Sequence, residues 1–252
     1  MRIPKSGLVA QLVVFAAAVA LASCGIDQIA AAQARPSAPP AVLAQLNTAS
    51  AKFTSAQADL RQELFTKAVH DTETQTGQIY FLRKAGATQM GMKMLPPDAT
   101  PGTPPVQIVE FKDAKLRIYD TGPGHLQEFS TTGKNKALAE TLMTLGFGGS
   151  GTDLAKAWTI TDQGVEQMSD GNRSVLVEKL DLVSRDSGIR NNYSHITIWV
   201  DAARGISLKQ VSFEASGGIP TGDTRTVFYS NIRLNQPVDT APFAIKCQSK
   251  CN

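Results

Sequence analysis

Residues 77–95 read GQIYFLRKAGATQMGMKML, and this stretch decides the fold class of the chain. Its apolar and polar residues alternate with a period of two, which is typical of β-strands. Gly77 to Arg83 and Thr88 to Leu95 are therefore predicted as two strands separated by a turn. Taken alone, the methionines of the second strand favour simple core packing over an adaptable surface for irregular apolar ligands. They share one face of that strand: Met90, Met92 and Met94.

The same period continues on both sides of this stretch. A first strand region precedes it at residues 56–64, and short strands bounded by Gly, Pro or Asp follow it. These further strands are predicted at residues 106–111, 115–120, 125–130, 158–161, 173–183, 193–201, 205–213 and 224–234. About ten strands in sequential hairpins imply one large antiparallel sheet, which must curl or pack against another layer at this size.

Two or three helices accompany the strands. Ala41 to Phe53 carries apolar residues at helical spacing. A second helix is predicted from Lys134 to Leu145, with Leu138 and Leu142 in its apolar stripe. Thr152 is predicted to cap a short helical turn that runs to Trp158. The predicted fold class is therefore α+β, mainly antiparallel β.

The N-terminal residues have the pattern of an export signal. Arg2 and Lys5 precede an apolar run from Leu8 to Ala20, and residues 21–24 then read LASC. The pattern resembles a bacterial lipoprotein signal peptide, which implies cleavage before Cys24 and acylation of that cysteine. An ordinary secretory signal with a chance cysteine is the alternative. The expected organisation is a signal peptide at 1–23, a lipidated cysteine and flexible tether at 24–40, and one domain at 41–252.

Two further cysteines lie near the C-terminal end of the sequence. With Cys24 acylated, Cys247 and Cys251 remain as an even pair in an oxidising compartment, so a disulfide is predicted. It would close a very small loop and contribute at most about 2 kcal/mol. Metal binding or redox chemistry would need further ligands or a Cys-x-x-Cys spacing, and neither is found near these residues.

The composition argues against two classes of partner. The chain has 25 basic and 22 acidic residues, a formal charge of +3, and no run of Lys or Arg that could follow phosphates. Nucleic-acid binding therefore has no support. No second apolar stretch reaches the length of about 20 residues that spans a membrane. Nothing in the sequence requires a cofactor.

Two further patterns have weak functional meaning. Residues 146–151 read GFGGSG and match the letters of a dinucleotide-binding loop. That loop must follow a strand, whereas a predicted helix precedes these glycines, so the stretch is interpreted as a flexible joint. The histidines His70, His125 and His195 stand far apart, in no metal-ligand spacing. Surface or strand-edge positions are favoured for them, and a catalytic triad assembled in space stays open.

Four segments have recognisable motifs: GQIYF at 77–81, FKDAKLRIY at 111–119, ITIWVD at 196–201 and TVFYSNIRL at 226–234. They resemble segments of the bacterial lipoprotein carrier and receptor family, LolA and LolB. Each motif is short, but their order and spacing together extend the resemblance roughly over residues 41–245. The resemblance implies an open, strongly curved antiparallel half-barrel, with helices as a lid over an apolar cavity that receives acyl chains.

The resemblance also implies roles for particular residues. The carriers have an arginine on the third strand that bonds to the lid, and this position falls near Gly91, with only Lys93 close by. In the receptor, a loop after the third strand projects an apolar side chain toward the membrane, and Leu95 is the candidate here. The candidate cavity residues are Phe81, Met90, Met92, Met94, Leu138, Leu142 and Trp199.

The function implied is that of a lipid-anchored lipoprotein on the periplasmic side of a bacterial membrane. It would bind acyl chains of lipoproteins or lipids and transfer them toward the outer membrane, without covalent chemistry. Expected partners are acylated lipoproteins or lipids, the membrane itself, and a carrier or export complex. Gly25 stands where an aspartate retains lipoproteins at the inner membrane of enteric bacteria, which favours the outer membrane. The rival functions are a sensor or scaffold on the same fold and an unrecognised hydrolase.

Overall fold

The computed structural model describes residues 39–84, 86–130 and 145–245. Within these ranges, eleven strands form one antiparallel sheet, which confirms the predicted fold class. The predicted strand at 224–234 begins five residues earlier, at Ile219, because β11 continues the hairpin with β10 beyond a bulge. The strands are β1 (Ser55–Thr66), β2 (Asp71–Lys84), β3 (Ala87–Leu95), β4 (Gln107–Lys112), β5 (Lys115–Asp120), β6 (His125–Ser130), β7 (Trp158–Ser169), β8 (Ser174–Ser184), β9 (Tyr193–Asp201), β10 (Ile206–Ser216) and β11 (Ile219–Leu234).

The order of the strands divides the chain into two runs of hairpins. Across the sheet the order is β6-β5-β4-β3-β2-β1-β11-β10-β9-β8-β7. Every neighbouring pair is consecutive in sequence except β1 and β11, which pair from Ala56 with Leu234 to Phe65 with Thr224. Because β6 and β7 lie at opposite edges, the chain between them, residues 131–157, connects the two edges of the sheet.

The sheet is strongly curved. Ile118 of β5 and Ile196 of β9 line the same cavity, although their strands are seven places apart in the order. Seven strand spacings would separate them by about 34 Å in a flat sheet. The sheet must therefore curl around the cavity, and it stays open because β6 and β7 form its two edges. This is the half-barrel architecture that the resemblance implies.

Helices cover one half of the concave face. Helix α1 (Pro40–Lys52) begins with a proline at its first position and buries Val42 and Leu46. These two side chains belong to the same apolar cluster as Leu180 and Leu182 of β8. Helices α2 (Gly151–Ala157) and α3 (Ser187–Arg190) and a 3-10 helix (Ala241–Phe243) complete the described elements.

Two local predictions need correction. The cap of α2 is Ser150, whose hydroxyl oxygen accepts the backbone N–H of Asp153 at 3.0 Å, and not Thr152. Strand β7 continues past the predicted end at Thr161 because a bulge between Asp162 and Val165 absorbs the turn-like residues. Gly164 adopts φ +92° within it, a conformation that glycine tolerates best.

The turn between β7 and β8 is fixed by a buried carboxylate. Asp170 accepts the backbone N–H groups of Asn172 and Arg173, both at 3.0 Å. Its other oxygen lies 2.8 Å from Nη1 of Arg204, which extends from the β9–β10 turn. Burial raises the pKa of this carboxyl, but the hydrogen bonds and the guanidinium together outweigh burial and hold the pKa below its usual range. The ion pair thus joins two turns of the second run of hairpins.

Candidate functional site

The concave face of the sheet encloses a cavity of about 320 Å³. This volume lies at the lower end of the range of about 300–1,000 Å³ that is typical of small-molecule sites. Its apolar wall comes from both runs of hairpins and from the segment that begins at Leu145. The apolar side chains that line it are Leu60, Ile79, Phe81, Met90, Met92, Met94, Val109, Leu116, Ile118, Leu145, Tyr193, Ile196, Val227 and Tyr229.

The methionine face of β3 lies on the cavity wall. Met90, Met92 and Met94 all line it, and their register neighbours on the adjoining strands, Phe81 and Val109, do as well. Met90 and Met94 are buried and Met92 is half-buried. An unbranched thioether side chain adapts its shape to an irregular neighbour, so this wall can accommodate apolar chains in different conformations.

An aromatic group contributes Phe81 and Tyr229 to the cavity wall. The ring centroids of Phe81 and Phe147 lie 4.8 Å apart, and those of Phe147 and Tyr229 lie 5.3 Å apart in an edge-to-face arrangement. Burial raises the pKa of the Tyr229 hydroxyl above its ordinary value, which keeps the phenol neutral. This part of the wall is therefore apolar and uncharged.

Three of the glycines at 146–151 are sites of close contact, and the flexible joint stays a prediction. A Cβ atom at Gly146 would lie 3.1 Å from the Phe81 ring. At Gly148, which has φ +76°, a Cβ would overlap the ring of Phe53, and at Gly151 it would overlap the carbonyl of Leu43 in α1. These glycines allow the segment to pack directly on β2 and α1.

An arginine does connect the helical layer to the sheet, but it comes from β2. Nη1 of Arg83 donates to the carbonyl of Ser50 in α1, and Nη2 donates to the carbonyl of Gly148, both at 2.7 Å. Its guanidinium also lies 5.1 Å from the centroid of the Phe53 ring. The expected position near Gly91 is closed to a side chain because a Cβ there would lie 2.5 Å from Cβ of Pro242.

The cavity wall also has polar side chains. They belong to four glutamines, Ser212 and Arg225. The side-chain amide of Gln107 donates to Asp120 at 2.8 Å, and that of Gln75 donates to Glu73 at 2.8 Å. Gln210 donates to the carbonyl of Leu145 and so ties β10 to the segment above the cavity. Gln62, the fourth, pairs in register with Gln75 across β1 and β2.

Trp199 is not among the residues that line the cavity. Its indole N–H donates to Oε2 of Glu166 at 2.7 Å, and the ammonium of Lys209 lies 4.3 Å from its ring centroid. The hydrogen bond from Trp199, followed by one from Lys179, lowers the pKa of the Glu166 carboxyl. Because Trp199 alternates with Ile196 and Ile198 along β9, it points to the convex face. Period-two alternation separates the two faces but cannot tell which one is concave.

Lys93 and Leu95 also lie away from the cavity lining. Lys93 forms an ion pair with Asp239 at 2.7 Å, in the segment that leads to the 3-10 helix. Leu95 is the last residue of β3 and is half-buried in a recess that Phe228 and Tyr229 also line. In the loop that follows, Val106 is 47% exposed.

Several predicted features lie outside the described residues. They are the signal peptide at 1–23, Cys24 with the tether as far as residue 38, the second helix with Leu138 and Leu142 up to residue 144, and the cysteines Cys247 and Cys251.

The three histidines are not brought together. His70 lies in the β1–β2 turn and His125 begins β6, both exposed. Nδ1 of His195 lies 3.1 Å from the hydroxyl of Ser194, and Nε2 lies 3.9 Å from Asp181. The same hydroxyl lies 3.2 Å from the carbonyl oxygen of Phe213, to which it can also donate. Within the described ranges, no group of three or more His, Cys, Asp or Glu side chains could hold a metal ion.

Comparisons with known proteins give likenesses of fold. No protein-family model matches the chain, and no curated protein matches it. Solved structures that are similar include an outer membrane lipoprotein-sorting protein domain from Vibrio parahaemolyticus (12% identity, 81% of this chain and 94% of that chain, TM-score 0.42). A second is a LolA-superfamily protein from Nitrosomonas europaea (13% identity, 80% of this chain and 96% of that chain, TM-score 0.36). A third is the lipoprotein LppX from Mycobacterium tuberculosis (12% identity, 79% of this chain and 98% of that chain, TM-score 0.42).

The fold and the cavity together define an open β half-barrel with an apolar interior. Its helical layer is fixed to the sheet by Arg83. None of the helices in the described ranges has the length and apolar character needed to cross a bilayer. The chemistry of the cavity is the guide to function.

Proposed function

We propose that the protein binds the acyl chains of lipoproteins or lipids in its cavity and passes them toward the outer membrane. The observation that carries this proposal is the methionine-lined apolar cavity of about 320 Å³. The resemblance of the sequence to the lipoprotein carriers and receptor supports the same function.

The physical task is to shield apolar surface from water. An acyl chain that leaves a membrane exposes about 0.8 kcal/mol for each CH₂ group unless another apolar site receives it. The side chains on the cavity wall provide such a site without any bond being made or broken. Transfer then needs only that the donor, the cavity and the acceptor meet in turn.

Anchoring of the protein itself is the second part of the proposal. Cleavage before Cys24 and acylation of that cysteine would attach the tether, and with it the domain, to the periplasmic side of a membrane. The absence of an aspartate at position 25 favours the outer membrane. A carrier or export complex would deliver the acylated cargo.

Lipid extraction followed by mass spectrometry tests the cavity directly. A soluble form that starts at Ser37 is purified from cells without detergent, and its bound lipids are quantified. We expect phospholipid or acylated peptide at near-stoichiometric amount. Protein that is empty, and remains empty after incubation with lipoprotein or liposomes, would contradict the proposal.

A pair of matched variants locates the binding site. Met92→Asp places a charge on the cavity wall, so we expect lipid loading to be abolished while secretion continues. Met168→Asp makes the same change at a half-buried methionine that lines the recess near Leu95, and it should leave loading unchanged. Equal lipid content in the two variants would exclude a methionine-lined binding site.

A further inference from the structure

We infer that the ligand has an anionic head group and that Arg225 binds it at the polar end of the cavity. This inference rests on the proposed acyl-binding function and specifies the chemical class of the ligand. The chemistry is that of a carboxylate or a phosphate attached to an acyl chain, as in a fatty acid or an acidic phospholipid.

The lining of the cavity changes in character along the strands. At one end, the sheet contributes Phe81, Met90 and Leu116, which lie on one line of register that crosses from β2 to β5. Gln107 shares the middle line of register with Met94 and Tyr229. The other polar lining residues lie on the two lines beyond Tyr229: Gln62, Gln75, Gln210, Ser212 and Arg225. An amphiphile would therefore bind with its tail toward Phe81 and its head toward Arg225.

Arg225 provides the charge at that end. Of the described residues that line the cavity, it alone has a charged side chain. Its Nη2 forms an ion pair with Oε1 of Glu214 at 3.6 Å, which is longer than a hydrogen bond, and 43% of the Arg225 side chain is exposed. Its Nε is buried and makes no hydrogen bond with any described residue.

The Nε group of Arg225 is poorly explained by the ion pair with Glu214, because that pair uses Nη2 and leaves Nε without a hydrogen bond. Buried polar groups are nearly always hydrogen-bonded, and each exception requires an explanation. Arg225 is followed on the same face of β11 by Val227 and Tyr229, which also line the cavity. Guanidinium groups bind carboxylates and phosphates through two parallel hydrogen bonds, and Nε is one of the donors that such a pair uses.

The glutamines fit the same ligand. Gln62 and Gln75 face each other across β1 and β2, and Gln62 also pairs in register with Val227, the next cavity residue after Arg225. Amide groups donate and accept hydrogen bonds, so they can contact the ester or hydroxyl oxygens that join a head group to its chain.

Photo-crosslinking on the full chain tests this inference. The protein is reconstituted through its own anchor into vesicles of phosphatidylcholine, and it is exposed to diazirine-labelled palmitic acid or to the methyl ester of the same acid. We expect the acid to label the cavity at least about tenfold more than the ester, which corresponds to about 1.4 kcal/mol. Labelled phosphatidylglycerol and diacylglycerol, used in the same way, distinguish a phosphate head from a carboxylate.

Two arginine variants complete the test. Arg225→Gln should reduce labelling by the acid to the level of the ester, whereas Arg61→Gln, on the neighbouring strand and outside the cavity lining, should preserve the difference. Equal labelling by charged and neutral probes in the unaltered protein would overturn the inference and leave acyl binding intact. Absence of labelling by every probe would instead overturn the proposed function. Loss of labelling by both the acid and the ester in Arg225→Gln would also count against charge recognition, because it would indicate damage to the cavity.

Discussion

Arg83 offers the sharpest test of how the helical layer is held on the sheet. Replacement with alanine removes two charge-assisted hydrogen bonds of 2.7 Å, to the carbonyls of Ser50 and Gly148, and a cation–π contact with Phe53. Both carbonyls keep a second donor, because Ser50 still accepts the N–H of Phe53 at 3.2 Å and Gly148 still accepts the hydroxyl of Ser50 at 2.6 Å. The loss per bond therefore falls near the lower end of the range of about 1.5–3 kcal/mol.

These contributions predict that Arg83→Ala lowers the free energy of unfolding by about 3 kcal/mol. In a domain of this size that corresponds to a fall in Tm of about 6–12 °C. Urea unfolding followed by circular dichroism, on the soluble form that starts at Ser37, measures the change. Arg83→Lys keeps the charge but not the fork that reaches two carbonyls, so it should recover less than half of the loss. A loss below about 1 kcal/mol, similar to that of Arg61→Ala on the convex face, would refute the role of Arg83 as a connection between α1 and the sheet.

Three further predictions concern separate parts of the molecule. Gly151→Ala should lower the free energy of unfolding by more than about 2 kcal/mol, because its Cβ would overlap the carbonyl of Leu43, and thermal unfolding would show this. The pKa of the Asp170 carboxyl is lower in the folded state than in the unfolded state, so its pairing with Arg204 stabilises the protein above about pH 4. This stabilisation is lost as the pH falls through the pKa that the carboxyl has in the folded state. Asp170→Asn should therefore show a smaller loss of stability than the unaltered protein between pH 6 and about pH 3 in urea titrations. Leu95→Glu should weaken delivery of lipid to acceptor vesicles and leave loading unchanged, and unaffected transfer would exclude a membrane-facing role for that residue.

Alternation along the strands was sufficient to predict the sheet. The face shared by Met90, Met92 and Met94 required only the period of two, and the structure places it on the cavity wall. The curvature was harder to predict, because it depends on which face of each strand lies inside. That is determined by strands distant in sequence, such as β5 and β9, which line one cavity. Trp199 was therefore predicted as a cavity residue, because the sequence of β9 does not indicate which of its faces is convex.

The remaining parts of the site depend on contacts that no local pattern records. Arg83 looks like an ordinary strand-edge charge until α1 and the segment at Gly148 are placed above it. The glycines at 146–151 suggested freedom of the backbone, and their neighbours Phe53 and Leu43, which lie about a hundred residues earlier, make close approach a second reason for glycine. Arg225 likewise acquires meaning only when the other residues of the lining prove to be uncharged.

The pairing of β1 with β11 has a consequence for the folding rate. It joins residues 55–66 to residues 219–234, so the centre of the sheet depends on two of the most widely separated strands in the sequence. Sheets dominated by such distant contacts fold slowly, because the entropy of closing the long intervening loop is lost before the contact forms. Until β11 is available, β1 presents an unpaired edge that another extended chain can join. A nascent chain of this protein therefore needs protection from aggregation until nearly all of its sequence has emerged.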